Sequence, residues 1–287
     1  MERNAVILAA GTASRFTPLS LECPKGLLEV KGEILIERQI RQLHEAGIDD
    51  IAVVTGYMAE RFEYLRHKFG VEIIHNEDYA VYNNTSSLIR VLDRLGNTFV
   101  CSSDNYFRNN VFNTKPVTSY YSALYADGPT GEYCITTDKA DNIVDVSVGG
   151  SDSWYMVGHV YLDKEFCTRF RNIFAKEYEK EDTRKEYWED VYIRHISDLP
   201  AMKINRYEAG EIEEFDSLDE LRLFDASYVS DTRSSYIKKI AGLLGCDESV
   251  LVGFSKAVKD GEHIWFDFLK DNEPYRYEVE KGYLTKL

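Results

Sequence analysis

Residues Leu8–Leu28 read LAAGTASRFTPLSLECPKGLL. The stretch opens as the end of an apolar run, AVILAAG over Ala5–Gly11, which stops at a glycine. A continuous apolar run of this length marks a strand buried on both faces. The chain beyond the glycine is unusual for a simple turn: Arg15, Pro18, Pro24 and Lys25 all precede the next apolar stretch. Gly11 permits close approach of the backbone to a ligand, Arg15 offers a planar fork of donors and Lys25 a mobile point charge. Pro18 and Pro24 stiffen the chain between them. Neither GxxxxGK[ST] nor GxGxxG is present, because Ala13 stands two residues after Gly11. On this chemistry alone the segment suits a phosphate-binding loop and an ordinary surface loop equally.

Working outward, strands and helices alternate. Helical spacing of Ile36, Ile40 and Leu43 ends at Gly47, and DDIAVVTGY reads as a second buried strand. AERFEYLRHKFG predicts a helix, VEIIHN a strand, SSLIRVLDRLG a serine-capped helix and TFVCSSDN a fourth strand. Such alternation predicts an α/β, Rossmann-like sandwich with a mostly parallel central sheet, in which ligands bind beyond the carboxyl ends of the strands. Gly11, Gly56, Asn76 and Asp104 fall just past those ends and are expected to line one crevice. From about residue 118 four strand-like segments (TSYYSALYA, EYCITTD, NIVDVSV, SWYMVGHVYL) come in succession without helices, which predicts an antiparallel extension. Helices return at KEFCTRFRNIFAKEYEKE and YWEDVYIRHIS.

The 287 residues carry a formal charge of -15, which argues against nucleic acid or an anionic membrane as partner. Hydrophobic content of 44% supports a large core. The five cysteines are scattered without a CxxC pair, as in a reducing cytoplasm, and no apolar run reaches membrane length.

The stretch Leu8–Leu28 resembles the signature LAAGxGxRxxPxTxxxPKxL of nucleotidyltransferases that make nucleotide-sugars and CDP-alcohols. Matching positions are Leu8, Ala9, Ala10, Gly11, Arg15, Pro18, Pro24, Lys25 and Leu27; Ala13 replaces a glycine and Ser20 a threonine. YNNTSSL, SSDNYF, EYWEDVYIRHI and EEFDSLDELR extend the resemblance to bacterial CTP:phosphocholine cytidylyltransferases of the LicC type, over roughly Ala5–Phe224. The resemblance implies the nucleotide-diphospho-sugar transferase fold and Mg²⁺-dependent condensation of CTP with phosphocholine to CDP-choline and pyrophosphate. It implies that Leu8, Ala10, Gly11, Thr12 and Ala13 hold the nucleotide, that Arg15 binds the departing pyrophosphate and that Lys25 bridges the reacting phosphates. Asp104 and Asp216 would hold the metal. Asn83, Asn84 and Ser87 offer groups able to read a pyrimidine edge, and Gly56 and Tyr57 would pack against the nucleoside. A trimethylammonium acceptor wants aromatic faces and a carboxylate. Tyr133, Trp154, Tyr161, Tyr187 and Trp188 are the candidates for the first, with Glu132, Glu189 and Asp190 for the second.

The expected division is a nucleotidyltransferase domain over 1–227 and an α+β appendage over 228–287, a helix then a β-hairpin turning at Asp271–Pro274. The tail is faintly similar to the start of choline-kinase-like phosphotransferases, but it contains no HxD catalytic loop, and a packing or homodimer role is expected. Two alternatives stay open: a sugar-1-phosphate nucleotidyltransferase, and a nucleotide-binding regulatory protein without turnover.

Overall fold

The computed structural model describes residues 2–287. The chain divides into two compact units: one runs as far as Gly11 and resumes over Leu35–Glu214, the other comprises Thr12–Ile34 and Phe215–Leu287.

The first unit is built on a seven-stranded sheet. Its strands are β1 (Asn4–Ala9), β2 (Asp50–Thr55), β3 (Glu72–His75), β4 (Thr98–Ser102), β5 (Tyr120–Thr137), β6 (Ile143–Leu162) and β7 (Lys203–Arg206), in the order β7-β5-β6-β4-β1-β2-β3. The β3-β2-β1-β4 block is parallel, β6 runs against both β4 and β5, and β7 is parallel to β5. The expected mostly parallel sheet with an antiparallel extension is therefore present.

Both faces of the parallel block are buried. Val6, Ala52, Val54 and Val100 pack with Leu88, Phe166, Phe170, Phe174, Trp188 and Tyr192, while Ala5, Ile7, Val53 and Phe99 point to the other face and are equally buried. This is why β1, β2 and β4 read as continuous apolar runs. Helix α1 (Leu35–Glu45) buries Leu35, Ile36, Ile40 and Leu43 as its spacing predicts, and Gly47 ends that segment at φ +73°.

Three local expectations are corrected. The helix predicted over AERFEYLRHKFG is a 3₁₀ turn (Ala59–Phe62) followed by the short α2 (Tyr64–Phe69). The helix predicted over SSLIRVLDRLG is the short α3 (Thr85–Ile89) followed by a 3₁₀ turn at Leu92–Arg94. Its serines do not cap it: Ser86 and Ser87 lie inside α3 and accept hydrogen bonds from the buried Asn76 amide at 2.8 and 3.0 Å. The four strand-like segments after residue 118 are two long strands, β5 and β6. The breaks expected at Asp127–Gly131 and Gly149–Asp152 are register shifts, including Ala126/Pro129 and Thr130/Tyr133, so turn-type residues here mark bulges and not chain reversals. After β6, Asp163 caps α4 (Lys164–Tyr178) by accepting from Glu165 N and Phe166 N. The chain continues through α5 (Glu181–Arg184) and α6 (Trp188–Arg194).

The second unit contains residues 12–28 of the signature segment, which form successive 3₁₀ turns at Ser14–Phe16, Leu19–Leu21 and Lys25–Leu27. It also holds α7 (Leu218–Phe224), α8 (Ser227–Ser230), α9 (Ser235–Leu244) and an antiparallel sheet. That sheet has more strands than the expected hairpin: β8 (Leu251–Val252), β9 (Val258–Asp260), β10 (His263–Lys270), β11 (Glu273–Glu278) and β12 (Tyr283–Lys286). The hairpin itself is β10–β11. Lys270 faces Glu273 across Asp271 and Asn272, both at positive φ, a two-residue turn that suits these residue types. Among the described residues no helix is long and apolar enough to cross a membrane.

Candidate active site

In the first unit, the loops leaving the parallel strands are tied to one another at the carboxyl edge of the sheet. Ser103 N donates to Leu8 O (3.1 Å), Tyr57 N to Ala10 O (3.1 Å) and Asn76 N to Thr55 O (2.7 Å). Gly11, Gly56, Asn76 and Asp104 thus follow the ends of β1, β2, β3 and β4 as expected, with Leu8, Ala10 and Tyr57 beside them. Gly56 has a second reason to be glycine: a Cβ there would lie 2.6 Å from Tyr79 Cβ and 2.9 Å from Ala10 Cβ. Asp104 lies two residues beyond the end of β4 and is partly buried.

Asn83, Asn84 and Ser87, expected as base contacts, are engaged within the protein. Asn83 Oδ1 accepts from Asn84 N at 2.8 Å, and the Ser87 hydroxyl accepts from Asn76. Asn84 reaches α6: its Oδ1 accepts from Trp188 N at 2.7 Å, and its Nδ2 donates to Glu189 Oε2 at 3.4 Å. Its amide thereby joins the start of α3 to the start of α6, a link that nothing in the local pattern YNNTSSL reveals.

Glu189 is the centre of a second cluster. Its other oxygen accepts from the Tyr121 hydroxyl at 3.0 Å. Next to it, Asp190 accepts from the Tyr133 hydroxyl (2.9 Å) and from Tyr187 N (3.0 Å), the reach-back half of a capping box at the start of α6. Desolvation raises the Glu189 carboxyl to about 7, although donation from its own backbone N–H, Tyr121 and Asn84 favours the ionised form, and the Asp190 charge adds to the rise. Among the described residues no lysine, arginine or histidine forms an ion pair with Glu189 or Asp190. Tyr121, whose hydroxyl is pushed well upward by burial and by Glu189, is a member of this cluster that sequence reasoning misses. In an alternating strand it reads as one more core aromatic, and only its partner on a distant helix marks it.

The aromatic candidates separate. Tyr133 and Tyr187 form an edge-to-face pair with ring centroids 6.4 Å apart, and Tyr187 is 48% exposed. Trp188 is buried in the core, stacked on Tyr121 at 6.0 Å and met by the edge of Phe170. Trp154 has Arg206 over its ring at 5.4 Å. Tyr161 is corrected: it pairs with Phe99 near the amino end of β4, at the sheet edge opposite the loops above, and is buried between Phe99 and Tyr120. Its alternation along β6 sends it into the core there.

In the second unit, Arg15, Lys25 and Asp216 converge. Arg15 Nη1 lies 2.6 Å from Asp216 Oδ2, and Lys25 Nζ lies 4.0 Å from Asp216 Oδ1. Lys25 is only 8% exposed and sits 5.9 Å from the Phe16 ring. Asp216 is placed by the start of α7, where its N–H donates to Glu220 Oε2 and Ser217 Oγ accepts from Glu220 N. EEFDS is therefore a helix start that presents a carboxylate, and about 200 residues of chain separate it from the cations it meets.

Thr12 and Ala13 precede this group, and Ala13 adopts φ +47°, ψ +44°. A left-handed alanine costs about 1–2 kcal/mol, partly offset by the greater unfolded-state entropy of glycine. Ala13→Gly is expected to raise stability by about 0.5 kcal/mol and Tm by about one to two degrees, with turnover at or above that of the wild type. Calorimetry and initial rates check this; a fall in Tm would show that the alanine is not strained.

Among the described residues no group of three or more His, Cys, Asp or Glu side chains gathers as a metal cage. A single hard carboxylate, such as Asp104 in the first unit or Asp216 in the second, has the chemistry to contribute one ligand to a divalent ion that keeps waters.

The seven-stranded sheet with its strand-end loops and, in the second unit, the signature cations Arg15 and Lys25 that meet Asp216 are each features of a nucleotidyltransferase. Residues 5–124 match the MobA-like NTP transferase domain. The chain is 36% identical to the 2-aminoethylphosphonate cytidylyltransferase of Lancefieldella rimae over 80% of its own length and 95% of that protein. It is 32% identical to the choline-phosphate cytidylyltransferase of Streptococcus pneumoniae over 76% and 95% respectively. The solved structure of the CTP:phosphocholine cytidylyltransferase LicC from Streptococcus pneumoniae superposes with a TM-score of 0.76 at 31% identity, covering 79% of this chain and 99% of that one. The chain belongs to this family of cytidylyltransferase-like nucleotidyltransferases.

Proposed function

We propose that the protein transfers a cytidylyl group from CTP to a small phosphoryl compound bearing an ammonium group. One observation carries the choice of acceptor: Glu189 is a desolvated carboxylate that forms no ion pair among the described residues, beside a second carboxylate, Asp190. An uncompensated charge of this kind is costly unless a ligand supplies the opposite one. A sugar phosphate has none to offer.

In the reaction an acceptor oxygen attacks the α-phosphorus of CTP, the bond from that phosphorus to the bridging oxygen breaks, and pyrophosphate leaves. No side-chain nucleophile is needed, and the protein acts by positioning and by offsetting charge. Lys25 stabilises charge at the α-phosphate, and Arg15 binds the triphosphate end that departs. For Arg15 to do so it must exchange Asp216 for phosphate. Asp216, beside Arg15, would hold Mg²⁺, which when bound neutralises phosphate charge. Glu189 and Asp190 receive the ammonium group and so orient the acceptor.

The carboxylate pair favours a primary ammonium, whose N–H groups need acceptors, and hence 2-aminoethylphosphonate, the acceptor named for the Lancefieldella rimae relative. The burial of Trp188 supports this, since both its neighbours are already rings of the core. The half-exposed Tyr133–Tyr187 pair supports phosphocholine as second reading, because aromatic faces suit a trimethylammonium group. Pyrophosphate release should be measured with four nucleoside triphosphates against 2-aminoethylphosphonate, phosphocholine and glucose 1-phosphate. Turnover is expected with CTP and the ammonium acceptors, with kcat/KM about tenfold higher for 2-aminoethylphosphonate, equivalent to one hydrogen bond to a charged group. Turnover with glucose 1-phosphate alone would overturn the proposal.

A further inference from the structure

The signature segment is anchored, within the second unit, to residues beyond the part of the sequence that resembles the cytidylyltransferases. Thr17 Oγ1 accepts from Ala257 N at 3.2 Å. Glu22 Oε1 accepts from Ser235 N at 2.8 Å, and its two oxygens also take the hydroxyls of Ser235 and Ser234. The Glu29 carbonyl accepts from the Tyr228 hydroxyl (2.8 Å) and from Arg233 Nη1 (2.7 Å), and Lys31 N donates to Asp225 Oδ2 at 2.7 Å. Thr17 and Glu22 lie between Arg15 and Lys25 in the chain, and Glu29 and Lys31 come soon after Lys25.

Glu22 makes the densest of these contacts. Its partners open α9, where Ser234 is the cap and accepts from Ile237 N at 3.3 Å. A carboxylate there meets unsatisfied N–H groups and the positive end of the helix dipole. Helix α9 is itself fixed by burial of Ile237, Ile240 and Ala241. The segment therefore has a hydrogen-bonded anchor three residues before Lys25.

We infer that Glu22, bonded to Ser234 and Ser235 at the start of α9, is a positioning residue for nucleotidyl transfer, and that the C-terminal residues thereby serve the reaction. The inference rests on the proposal above that Arg15 and Lys25 act on the triphosphate. Without the anchor, the roughly ten-residue span from Arg15 to Lys25 would have to be ordered on each binding event, which weakens CTP binding and misplaces Lys25 in the transition state.

The test compares Glu22→Ala, Glu22→Gln, Ser234→Ala/Ser235→Ala and Arg15→Ala in the full chain, with Mg²⁺, CTP and whichever of 2-aminoethylphosphonate and phosphocholine turns over. Amide hydrogen exchange over residues 14–28 is measured in parallel. For Glu22→Ala, kcat/KM for CTP is expected to fall about 10- to 100-fold through both parameters, with the acceptor KM within about twofold and faster exchange over 14–28. Glu22→Gln keeps an oxygen for Ser235 N and should recover most of the loss. The double serine variant keeps the residue-235 N–H donating to Glu22 and should lose part of the rate in the same direction as Glu22→Ala; it carries the test should that variant fold poorly. Wild-type kcat/KM for CTP in Glu22→Ala, with or without faster exchange, overturns the inference while leaving the phosphate site intact, provided Arg15→Ala is impaired. Unimpaired Arg15→Ala would instead overturn the phosphate-site proposal itself, and the inference with it.

Discussion

Lys25→Ala is expected to lower kcat by about 10²–10³-fold, the usual result of removing one preorganised group that stabilises developing charge. The lysine is nearly buried, so its ammonium acts where water screens little, and the Phe16 ring packs beside it. The fold should survive the change. Asp216 keeps its 2.6 Å partner in Arg15, whereas Lys25 stands at 4.0 Å, so the carboxylate is not left without compensation. The predicted loss is therefore kinetic, with a thermal unfolding midpoint within a few degrees of the wild type. Lys25→Arg should restore only part of the rate, since a planar fork does not reproduce a compact point charge. Single-turnover formation of pyrophosphate with saturating CTP, beside a thermal melt, makes the measurement. A rate within about threefold of the wild type would remove Lys25 from the chemistry.

Glu189→Gln should separate function from stability. Its carboxyl titrates near 7 in the folded protein, above the ordinary value of 4.5. A carboxyl raised in this way makes the folded state bind more protons than the unfolded state between those pH values. Stability from this group is therefore greatest below pH 4.5 and declines as pH rises to about 7, beyond which the whole penalty is present. The glutamine variant removes the penalty. It should be more stable than the wild type at about pH 8 by on the order of 1–2 kcal/mol, discounted for partial exposure, and should show no such gain at pH 4.5. Catalysis should move the other way. The variant loses the charge that faces the ammonium group, so the acceptor KM should rise about tenfold or more while the CTP KM changes little. In the wild type, kcat/KM for the acceptor should climb with pH up to about 7 and then level, and in Glu189→Gln only the rise due to the acceptor's own second ionisation should remain. Equal stability of the two proteins above neutral pH, together with an unchanged acceptor KM, would show that this carboxylate does not receive the substrate.

The contrast between these residues explains how much of the site is legible in the chain alone. Lys25 and Arg15 lie in a contiguous segment whose spacing is itself the signal. The strand before it is equally legible, because burial on both faces of a parallel sheet leaves an unbroken apolar run. Glu189 stands out as an acidic residue beside aromatics, but its role depends on Tyr121 and Asn84, which are 68 and 105 residues away in the chain. Tyr161 groups with the acceptor residues on sequence alone, because an aromatic in a strand carries no mark of which end of the sheet it occupies.

By itself the sequence determined the α/β alternation, the loop that bears the candidate catalytic cations and the kind of chemistry those cations suit, since each is local and periodic. Only the tertiary structure decided that Asn84 reaches α6, that Trp188 is spent on the core and that the C-terminal residues hold the signature segment. The physical reason is that these depend on pairings across many tens of residues. Local propensity and periodicity do not encode such pairings; packing of the sheet and capping of distant helices do.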